Sequence, residues 1–451
     1  MKVVTIGTGY VGMNTAAALA YVGHSVCGVD IDSAKVEMLR NHKSPISEAG
    51  LDDLLALDTL DLTFTTNLVE CIQEADVVFI AVGTPSLPNG EANLEYVENA
   101  ARDISETLLP THDVTIVVKS TVPVGVNAMF ERQIRSNIAK RGGDVSLLHF
   151  ASNPEFLREG CALSDTFYPD RFIFGTEDDV AYDMLRTLFD PFIAQSFEPP
   201  AFVEMPSPRP KTQCLRTNPV SSEMIKYASN VFLALKISYA NEIGGLCEKI
   251  GANMVDVSRG MGMDKRIAPY FLQSGLGWGG SCFPKDSLAL LSMSKEYDYD
   301  MPIVQAAYDV NERQKSRLVQ KILGELHLLR GKRIAVYGLT FKPRTDDVRN
   351  SPAVDVAKEL VRRGASVVAH DPEGLSLARR IYRDCGFVFC EDPLEAAREA
   401  DAIVITTDWA CYQTLDWAKI RDVMRTPVLF DARNMLRNAS EKLVGFRYIG
   451  L

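Results

Sequence analysis

The chain has 451 residues, of which 46% are hydrophobic and 24% charged, and its formal net charge is −11 at pH 7. This length exceeds one ordinary hydrophobic core, so two or three domains are expected. The acidic balance argues against a nucleic acid or an anionic membrane as the main partner, because both carry negative charge. The sequence contains no apolar run approaching the roughly 20 residues that span a bilayer, so no membrane anchoring is expected.

The nine cysteines are scattered, without a C-x-x-C pair or a Cys/His cluster at zinc spacing. No metal site is therefore expected. Their odd number and the lack of a signal-peptide pattern favour a reducing, cytoplasmic location. An acidic protein of this kind can still hold phosphate groups, but it must do so with glycine loops and a few well-placed cations.

The chain begins with the pattern of a strand, a glycine motif and a helix. Lys2–Ile6 is typical of a buried strand, and G-T-G-Y-V-G follows at 7–12, before an alanine-rich segment. Asp30 stands 18 residues past Gly12, at the end of the next predicted strand, Ser25–Asp30. This context predicts dinucleotide binding, with close approach of a pyrophosphate to the glycines and of the ribose hydroxyls to Asp30. Because Asp30 would repel a 2′-phosphate, NAD is favoured over NADP.

The alternation of strands and helices continues after this unit. Two more predicted strands, Asp76–Val82 and Val114–Lys119, lead into Thr84 and Thr121. Ligands of open α/β sheets bind beyond the carboxyl ends of strands, so both threonines are cofactor-site candidates, with turn-forming hydroxyls as the alternative. Another predicted strand, Leu147–Ala151, precedes N-P-E-F-L-R-E-G. The two glutamates of this motif lie either on a solvated helix face or in a ligand cleft.

A proline-dense stretch, Glu198–Asn218, predicts an irregular loop or linker. A long helix is expected after it, as far as about Ile250, with a serine at 221 or 222 as its cap. Lys226 and Asn230 are four residues apart in this helix and therefore share a face. Solvation of this pair is the alternative to a functional role.

The run S-G-L-G-W-G-G-S-C-F-P-K-D at 274–286 combines four glycines, a thiol and two charges. Glycine lets the backbone approach a ligand closely or adopt positive φ. Lys285 is a cation that favours a reactive thiolate, and Asp286 can accept or relay a proton. The combination predicts Cys282 as a nucleophile, with a glycine turn around a small buried cysteine as the alternative.

The strand–helix pattern restarts near residue 331 and echoes the first part of the chain. Lys332–Gly338 parallels Lys2–Ile6 and the glycine after it, and Ala365–Asp371 parallels Ser25–Asp30. F-K-P-R-T-D-D-V-R at 341–349 replaces the glycine motif and predicts a cationic site for phosphate or sugar. The predicted fold class is α/β, with two doubly wound Rossmann-like domains joined by a central helical segment that contains a long helix.

These motifs together resemble those of the UDP-glucose/GDP-mannose dehydrogenase family over nearly the whole length. They are G-T-G-Y-V-G, K-S-T-V-P-V-G, N-P-E-F-L-R-E-G, K-Y-A-S-N, G-W-G-G-S-C-F-P-K-D and F-K-P-R-T-D-D-V-R. The family oxidises the C6 alcohol of a nucleotide sugar to a carboxylate in two hydride transfers to NAD, through a covalent thiohemiacetal and thioester. The resemblance implies UDP-glucose as the substrate, with GDP-mannose or a UDP-N-acetylhexosamine as alternatives.

The resemblance also implies a role for individual residues. Cys282 would be the nucleophile, Lys226 and Asn230 would stabilise oxyanions, and Asp286 would order water with Thr121 and Glu155. The implied NAD-binding residues are Gly7, Gly9, Tyr10, Val11, Gly12, Asp30, Lys35, Thr84, Thr121, Glu159, Lys285 and Arg349. The implied substrate-binding residues are Glu155, Phe156, Leu157, Arg158, Glu159, Lys226, Asn230, Arg266, Phe271, Leu272, Gln273, Ser274, Gly275, Gly279, Phe341, Lys342 and Arg433.

Arg266 would enter the site from a neighbouring subunit, which implies a homodimer or a larger homo-oligomer. The implied domains are an NAD-binding domain at 1–215, a central catalytic and dimerisation segment at 216–325, and a nucleotide-sugar-binding domain at 326–451. The sequence departs from the family pattern at Ala268 and Ala432, where glycine is expected, and in the length of the proline-dense stretch.

Two other classes of protein share parts of this pattern. A single-hydride hydroxy-acid dehydrogenase would need a catalytic histidine or lysine and no thiol, but all six histidines lie outside the motifs above. A catalytically silent NAD-binding protein would not need Cys282, Lys226 and Asp286 together. The number of NADH molecules formed per sugar separates these classes.

Overall fold

A computed structural model describes the backbone of residues 1–451 and every side chain except that of Ser440. The chain divides into two compact units, Met1–Ala228 and Ser229–Leu451. The boundary between the units falls inside one long helix, Pro219–Ile250.

The first unit alternates strands and helices along most of its length. Its strands are β1 (Lys2–Ile6), β2 (Ser25–Val29), β3 (Leu62–Thr65), β4 (Val77–Ile80), β5 (Val114–Val118), β6 (Leu148–Ser152), β7 (Arg171–Gly175) and β8 (Gln213–Thr217). Its helices are α1 (Tyr10–Tyr21), α2 (Ser33–Arg40), α3 (Leu51–Leu55), α4 (Glu95–Thr107), α5 (Val126–Lys140), α6 (Ala162–Phe167), α7 (Asp179–Leu188) and α8 (Asp190–Ala194), and α9 (Pro219–Ile250) begins in it. Short 3₁₀ turns occur at Leu68–Glu70, Ile72–Glu74 and Val145–Leu147.

Within the described backbone, these strands form one eight-stranded sheet in the order β3-β2-β1-β4-β5-β6-β7-β8. Neighbouring strands are parallel except β6 and β7, which pair antiparallel. The first six strands have the order of a doubly wound dinucleotide-binding fold, whose ligand lies where the strand order reverses, between β1 and β4. Val3 and Val4 belong to different apolar clusters on the two faces of the sheet, as expected of successive strand residues.

The sequence predicted β1, β2, β4, β5 and β6 to within two residues of their bounds. The proline-dense stretch was predicted as an irregular loop or linker, but its last part forms β8. The prediction missed β8 because this edge strand is largely exposed and carries no continuous apolar pattern.

The second unit contains the rest of α9 and another series of strands and helices. Its strands are β9 (Arg333–Tyr337), β10 (Ser366–His370), β11 (Phe387–Phe389), β12 (Ala402–Ile405), β13 (Val428–Asp431) and β14 (Arg447–Gly450). Its helices are α10 (Met254–Gly262), α11 (Phe283–Glu296), α12 (Pro302–Leu326), α13 (Pro352–Arg362), α14 (Leu375–Tyr382), α15 (Pro393–Ala397), α16 (Ala410–Gln413) and α17 (Trp417–Val423), with a 3₁₀ turn at Ser440–Leu443.

The described strands of the second unit form a parallel six-stranded sheet in the order β11-β10-β9-β12-β13-β14. Counted from its own first strand, this is the same order as that of the first six strands of the chain. The repeat extends to side chains: Thr8 donates its N–H and hydroxyl to Asp30, and Thr340 donates the same two groups to Asp371. The predicted fold of two doubly wound Rossmann-like sheets is confirmed.

Helix α9 begins three or four residues before the start that a cap at serine 221 or 222 implies. Pro219 is its first residue, and the side chain of Asn218 accepts a hydrogen bond of 2.7 Å from the N–H of Ser221. The predicted cap at serine 221 or 222 is therefore wrong, because Asn218 supplies the capping oxygen and proline is well suited to the first helical position. Further along α9, a Cβ on Gly244 would lie 2.9 Å from the Cβ of Ser274, so the backbone packs closely there.

Across the described residues, none of the helices is long and apolar enough to cross a membrane. The same part of the chain contains no group of three or more His, Cys, Asp or Glu side chains that could hold a metal ion.

Candidate active site

The glycine turn of the first unit has the geometry of a phosphate-binding turn. Gly7 has a φ of 98°, and a Cβ on Gly12 would lie 1.9 Å from the carbonyl oxygen of Gly7. Any side chain at position 12 would therefore disrupt the packing of α1 on β1. Gly9 precedes α1 without a side-chain cap, and a Cβ there would meet no atom within 4 Å. The N-terminus of α1 is thus open to an anion, which its backbone N–H groups and dipole attract.

Asp30 fixes a negative charge at the carboxyl end of β2. It accepts hydrogen bonds from the N–H of Thr8 at 2.9 Å and of Asp32 at 3.0 Å, and the ammonium group of Lys35 lies 3.9 Å away. Burial acts to raise the pKa of Asp30, but the N–H groups of Asp32 and Thr8, the Thr8 hydroxyl and Lys35 outweigh it and lower that pKa. Asp30 is therefore ionised at neutral pH, as an acceptor of ribose hydroxyls should be.

The loops after β4 and β5 are tied together and held by α9. The hydroxyl of Thr84 donates to the carbonyl oxygen of Thr121 at 2.8 Å. Glu223 of α9 accepts from the N–H groups of Gly125 at 2.7 Å and Asn127 at 2.9 Å. This clamp fixes the loop that carries Thr121. On the other side of the glycine turn, Tyr10 donates its hydroxyl to the carbonyl oxygen of Ser47 and Val11 is half-buried.

The segment after β6 buries a carboxylate against a lysine of α9. The ammonium group of Lys226 donates to the side-chain oxygen of Glu155 at 2.7 Å and to its backbone oxygen at 2.6 Å. Burial acts to raise the pKa of Glu155, but Lys226 and the N–H of Leu157 outweigh it, so this pKa lies below its usual range. The segment is not helical and Glu155 is buried, which rules out a solvated helix face for this glutamate.

The neighbours of Glu155 in the motif are less buried. The ring of Phe156 lies 3.9 Å from the guanidinium group of Arg171 and 5.5 Å from the Lys226 ammonium. Leu157 and Glu159 are half-buried. Arg158 is exposed and pairs with Asp165 of α6. Of these residues, Glu155 has a catalytic role implied by the resemblance, and its pairing with Lys226 brings two of the predicted catalytic residues together.

Lys119 is a charged residue of this site to which the sequence assigned no role. It follows β5 directly, is only 6% exposed and donates to the side-chain oxygen of Asn153 at 2.9 Å. Burial lowers the pKa of Lys119 to about 8, against the attraction of Glu155. A lysine directly after the apolar run Ile116–Val118 was the available signal, because buried lysines are rare without a partner.

In the second unit, Cys282 lies at the N-terminus of a helix. It is the N-cap residue of α11, which has 14 residues. A helix N-terminus stabilises negative charge, so this position suits a thiolate nucleophile. The hydroxyl of Ser281 lies 3.6 Å from the Cys282 sulfur, within hydrogen-bond range for sulfur.

One turn into α11, Asp286 forms the centre of a buried polar cluster. It accepts from the side-chain amide of Asn230 at 2.6 Å and from the ammonium group of Lys285 at 2.6 Å. The N–H of Asp286 donates to the carbonyl oxygen of Cys282 at 2.8 Å. Three predicted site residues are thereby connected, and the cluster is joined to Cys282 through the first turn of α11.

The glycine run before Cys282 packs against the strand-end loops of the second sheet. A Cβ on Gly280, whose φ is 82°, would lie 2.8 Å from the ring of Phe341. A Cβ on Gly275 would lie 3.1 Å from the carbonyl oxygen of Ala432 and 3.6 Å from the side chain of Arg433. Arg433 also donates to the backbone oxygen of Phe341 at 3.2 Å. The structure therefore assembles these predicted substrate-binding residues around the carboxyl ends of β9 and β13.

Gly279 and Lys342 lie beside the same loops. A Cβ on Gly279 would lie 2.3 Å from the backbone oxygen of Asn350, and the Lys342 ammonium lies 5.4 Å from the ring of Phe341. Arg349, predicted for NAD, pairs with Asp347 at 2.8 Å.

The segment before the glycine run contains two strained residues. Ala268 and Phe271 have positive φ values of 61° and 62°, so alanine here adopts the conformation for which glycine was expected. Leu272 is buried, Ser274 is half-buried and Gln273 is exposed. Arg266 is exposed and pairs with Asp264 at 2.6 Å. Within the described chain, its hydrogen bonds are with Asp264 and not with another predicted site residue.

Three domain models of the UDP-glucose/GDP-mannose dehydrogenase family match consecutive parts of the chain. They are the NAD binding domain at residues 1–193, the central domain at 220–313 and the UDP binding domain at 335–438. The chain belongs to the UDP-glucose/GDP-mannose dehydrogenase family. It is an NAD-dependent nucleotide-sugar dehydrogenase, and its cofactor is NAD.

Similar proteins match nearly the whole chain. UDP-glucose 6-dehydrogenase of Rhizobium meliloti is 43% identical over 459 residues, covering 100% of this chain and 99% of the relative. UDP-glucose 6-dehydrogenase YwqF of Bacillus subtilis is 42% identical over 436 residues, covering 96% and 93%. The solved structure of a UDP-glucose dehydrogenase from Pyrobaculum islandicum has a TM-score of 0.86 and 37% identity, covering 100% of this chain and 97% of that one.

The first unit of this dehydrogenase fits NAD on its own geometry. Space for a phosphate at Gly9, the obligatory glycine at position 12 and the ionised Asp30 provide what a dinucleotide requires. These residues and Lys35 would hold the adenosine and pyrophosphate parts of the cofactor.

Proposed function

We propose that this enzyme oxidises UDP-glucose at C6 to UDP-glucuronate in two successive hydride transfers, with Cys282 as the nucleophile. The position of Cys282 at the N-terminus of α11, one turn from the buried Asp286 cluster, carries the proposal. The names of relatives at 42% and 43% identity over almost the full chain support UDP-glucose as the sugar nucleotide.

The chemistry explains why a thiol is needed. An alcohol can lose one hydride and one proton directly, which leaves an aldehyde. An aldehyde must first gain a nucleophile, and the Cys282 thiolate adds to its carbon to give a thiohemiacetal after protonation of the oxygen. Loss of a second hydride and a proton gives a thioester. Water then attacks this thioester, the carbon–sulfur bond breaks, and the carboxylate and the thiol are released. One sugar, two NAD⁺ and one water thus yield one carboxylate, two NADH and three protons.

NAD⁺, when bound, supplies the acceptor for each hydride. The remaining tasks fall to side chains of this chain. Lys226 offers a buried positive charge and Asn230 a neutral N–H donor, and both stabilise a developing oxyanion. They are one turn apart on α9, so they lie on the same face of that helix.

Asp286 is proposed to order the attacking water and to take up its proton, helped by Thr121 and Glu155. Its carboxylate is held by Asn230 and Lys285, so its orientation is fixed before the substrate arrives. A fixed acceptor reduces the reorganisation needed when the water loses its proton.

The remaining proposals concern the domains, the binding sites, the location and the oligomeric state. The NAD-binding domain is proposed at 1–215, the central segment at 216–325 and the UDP-sugar-binding domain at 326–451. Glu159, Lys285 and Arg349 complete the proposed NAD site. The substrate site is completed by Phe156–Arg158 and Phe271–Gly275, by Gly279 and Lys342, and by Phe341 with Arg433. The enzyme is proposed to act in the cytoplasm as a homodimer or larger homo-oligomer in which Arg266 enters the site of a neighbouring subunit.

Steady-state kinetics on a panel of UDP- and GDP-sugars tests the substrate, with NADH counted per sugar consumed. The highest kcat/KM with UDP-glucose, and two NADH for each UDP-glucuronate, are expected. A higher kcat/KM with GDP-mannose or with a UDP-N-acetylhexosamine would replace the proposed sugar. One NADH per sugar would contradict the proposed chemistry.

A further inference from the structure

Three charged side chains lie buried together in the first unit, and two of them are positive. Glu155, Lys226 and Lys119 are 9%, 3% and 6% exposed. Lys226 contacts Glu155 directly, and Lys119 attracts Glu155 and repels Lys226. These three side chains together therefore carry one net positive charge.

The hydrogen bonds of Lys119 hold its charge in place without neutralising it. Its ammonium group donates to the neutral amide oxygen of Asn153 at 2.9 Å. Asn153 is fixed in turn, because its side-chain N–H donates to the carbonyl oxygen of Ile173 at 3.0 Å and its backbone N–H donates to that of Val118 at 3.0 Å. The other close contact of the ammonium is the ring of Phe189, whose centre lies 5.9 Å away. A cation anchored by neutral groups remains able to act on a nearby carboxylate.

The proposed reaction creates a need for such a cation. Lys226 donates two hydrogen bonds to Glu155, and an ammonium group that turns to an oxyanion on the substrate holds this carboxylate less strongly. A buried carboxylate that loses its partner takes up a proton or becomes strongly destabilising. Glu155 would then no longer be an anion at the moment when the reaction requires Lys226 elsewhere.

We propose that Lys119 is a second counter-ion of Glu155, which keeps this carboxylate ionised while Lys226 turns to a reacting oxygen of the substrate. Lys119 acts through Glu155 and Lys226 and is thus a positioning residue. It also repels Lys226, which weakens the hold of Glu155 on that ammonium. This inference rests on the proposed role of Lys226 as an oxyanion stabiliser.

The ionisation state of Glu155 can be measured without any substrate. Lys226→Met imitates the state in which Lys226 has left Glu155. Infrared difference spectra against the same protein carrying Glu155→Gln report whether Glu155 is a carboxylate or a carboxylic acid. We expect a carboxylate at pH 7 in Lys226→Met and a carboxylic acid in Lys119→Met/Lys226→Met.

The variant Lys119→Arg/Lys226→Met separates the charge of Lys119 from its packing. A carboxylate in this variant is expected, because arginine remains charged at every accessible pH. A carboxylic acid already in Lys226→Met, or a carboxylate in Lys119→Met/Lys226→Met, would overturn the proposal. Because no turnover is involved, these results hold even if UDP-glucose is not the substrate.

Kinetics test the consequence for turnover. The groups that titrate beside Lys119 are Glu155 and Lys226, and the Lys119 ammonium loses its charge as the pH rises through about 8. The ratio of wild-type kcat to Lys119→Met kcat should be about tenfold below pH 7, the effect of an interaction equal to one pKa unit. This ratio should fall towards one above pH 9. A ratio that does not change with pH would show a merely structural role and would overturn the proposal.

Lys119→Arg provides the matched control for the kinetics. Its kcat relative to wild type should rise as the pH passes through 8, because its charge persists where that of Lys119 is lost. Failure to turn over any nucleotide sugar in the wild type would refute the proposed function, and the infrared test would then decide the inference alone.

Discussion

Replacing Gly280 by alanine tests whether Phe341 contacts the nucleotide sugar. The φ of Gly280 is 82°, and an added Cβ would lie 2.8 Å from two ring atoms of Phe341 and 3.0 Å from a third. Alanine in this left-handed conformation costs about 1–2 kcal/mol. Phe341 is half-buried, so its ring can yield to the new methyl group. The substitution is therefore expected to move the ring without unfolding the unit.

The expected rise of the KM follows from the distances between the added Cβ and the ring of Phe341. Ordinary contact begins at 3.4–4 Å, so the ring must move by about 0.6–1.2 Å, and a gap of that size forfeits a quarter to a half of a packing contact. If the contact of the ring with the ligand is worth about 1–3 kcal/mol, as base–aromatic stacking is, about 0.3–1.5 kcal/mol is lost. The KM for UDP-glucose should then rise about twofold to tenfold.

Gly251→Ala is the matched control. Gly251 has a φ of 77°, and a Cβ there would meet no atom within 4 Å. The Gly251→Ala variant reproduces the backbone strain of Gly280→Ala without displacing the ring of Phe341. Both variants should lose similar thermal stability, while only Gly280→Ala should raise the KM for UDP-glucose. The Kd for NAD, measured by calorimetry, should not change in either.

An unchanged KM in Gly280→Ala would refute the placing of Phe341 at the substrate. An equal rise of the KM for UDP-glucose in Gly251→Ala would show that backbone strain, and not the displaced ring of Phe341, causes the effect.

The remaining predictions concern single charges. Asp30 should make NAD at least about tenfold better than NADP in kcat/KM, equivalent to about 1.4 kcal/mol, and Asp30→Ala should narrow this gap mainly by weakening NAD; equal use of both cofactors by the wild type would contradict it. Lys342→Ala should raise the KM for UDP-glucose while the calorimetric Kd for NAD stays near wild type, and an equal loss for both ligands would indicate a structural role. The pKa of Glu155 is lower in the folded than in the unfolded protein, so its stabilisation is present above the unfolded pKa of about 4.3 and is lost as the pH falls through the folded pKa. Glu155→Gln should therefore lower the Tm most at pH 7, and a Tm difference that grew in acid would refute this sign.

The fold could be predicted from local patterns because the residues of most of its strands are mainly buried. All four residues of β4, two valines, a phenylalanine and an isoleucine, are buried, and the bounds of β4 fall inside the predicted strand. β8 escaped prediction because an exposed edge strand has no such run. The predicted start of α9 was wrong because Asn218, Ser221 and Ser222 are all good N-cap residues. Only the fold shows that Asn218 is the one used.

Candidate site residues could be named from the sequence, but the pairing between them could not. Glu155 and Lys226 are 71 residues apart in sequence, and Asn230 and Asp286 are 56 apart. No spacing rule connects residues over such distances. Lys119 was missed for the same reason, since its partners Asn153 and Glu155 reach it only through the parallel pairing of β5 with β6.

The stoichiometry of wild-type and Cys282→Ala enzyme with UDP-glucose tests the central claim most directly. The wild type should form two NADH for each sugar and release UDP-glucuronate. The alanine variant removes only the thiol, so it should fold and bind both ligands, as calorimetry can verify, yet release almost no UDP-glucuronate. Release of UDP-glucuronate by Cys282→Ala at near the wild-type rate, or a wild type that stops at one NADH, would contradict the account.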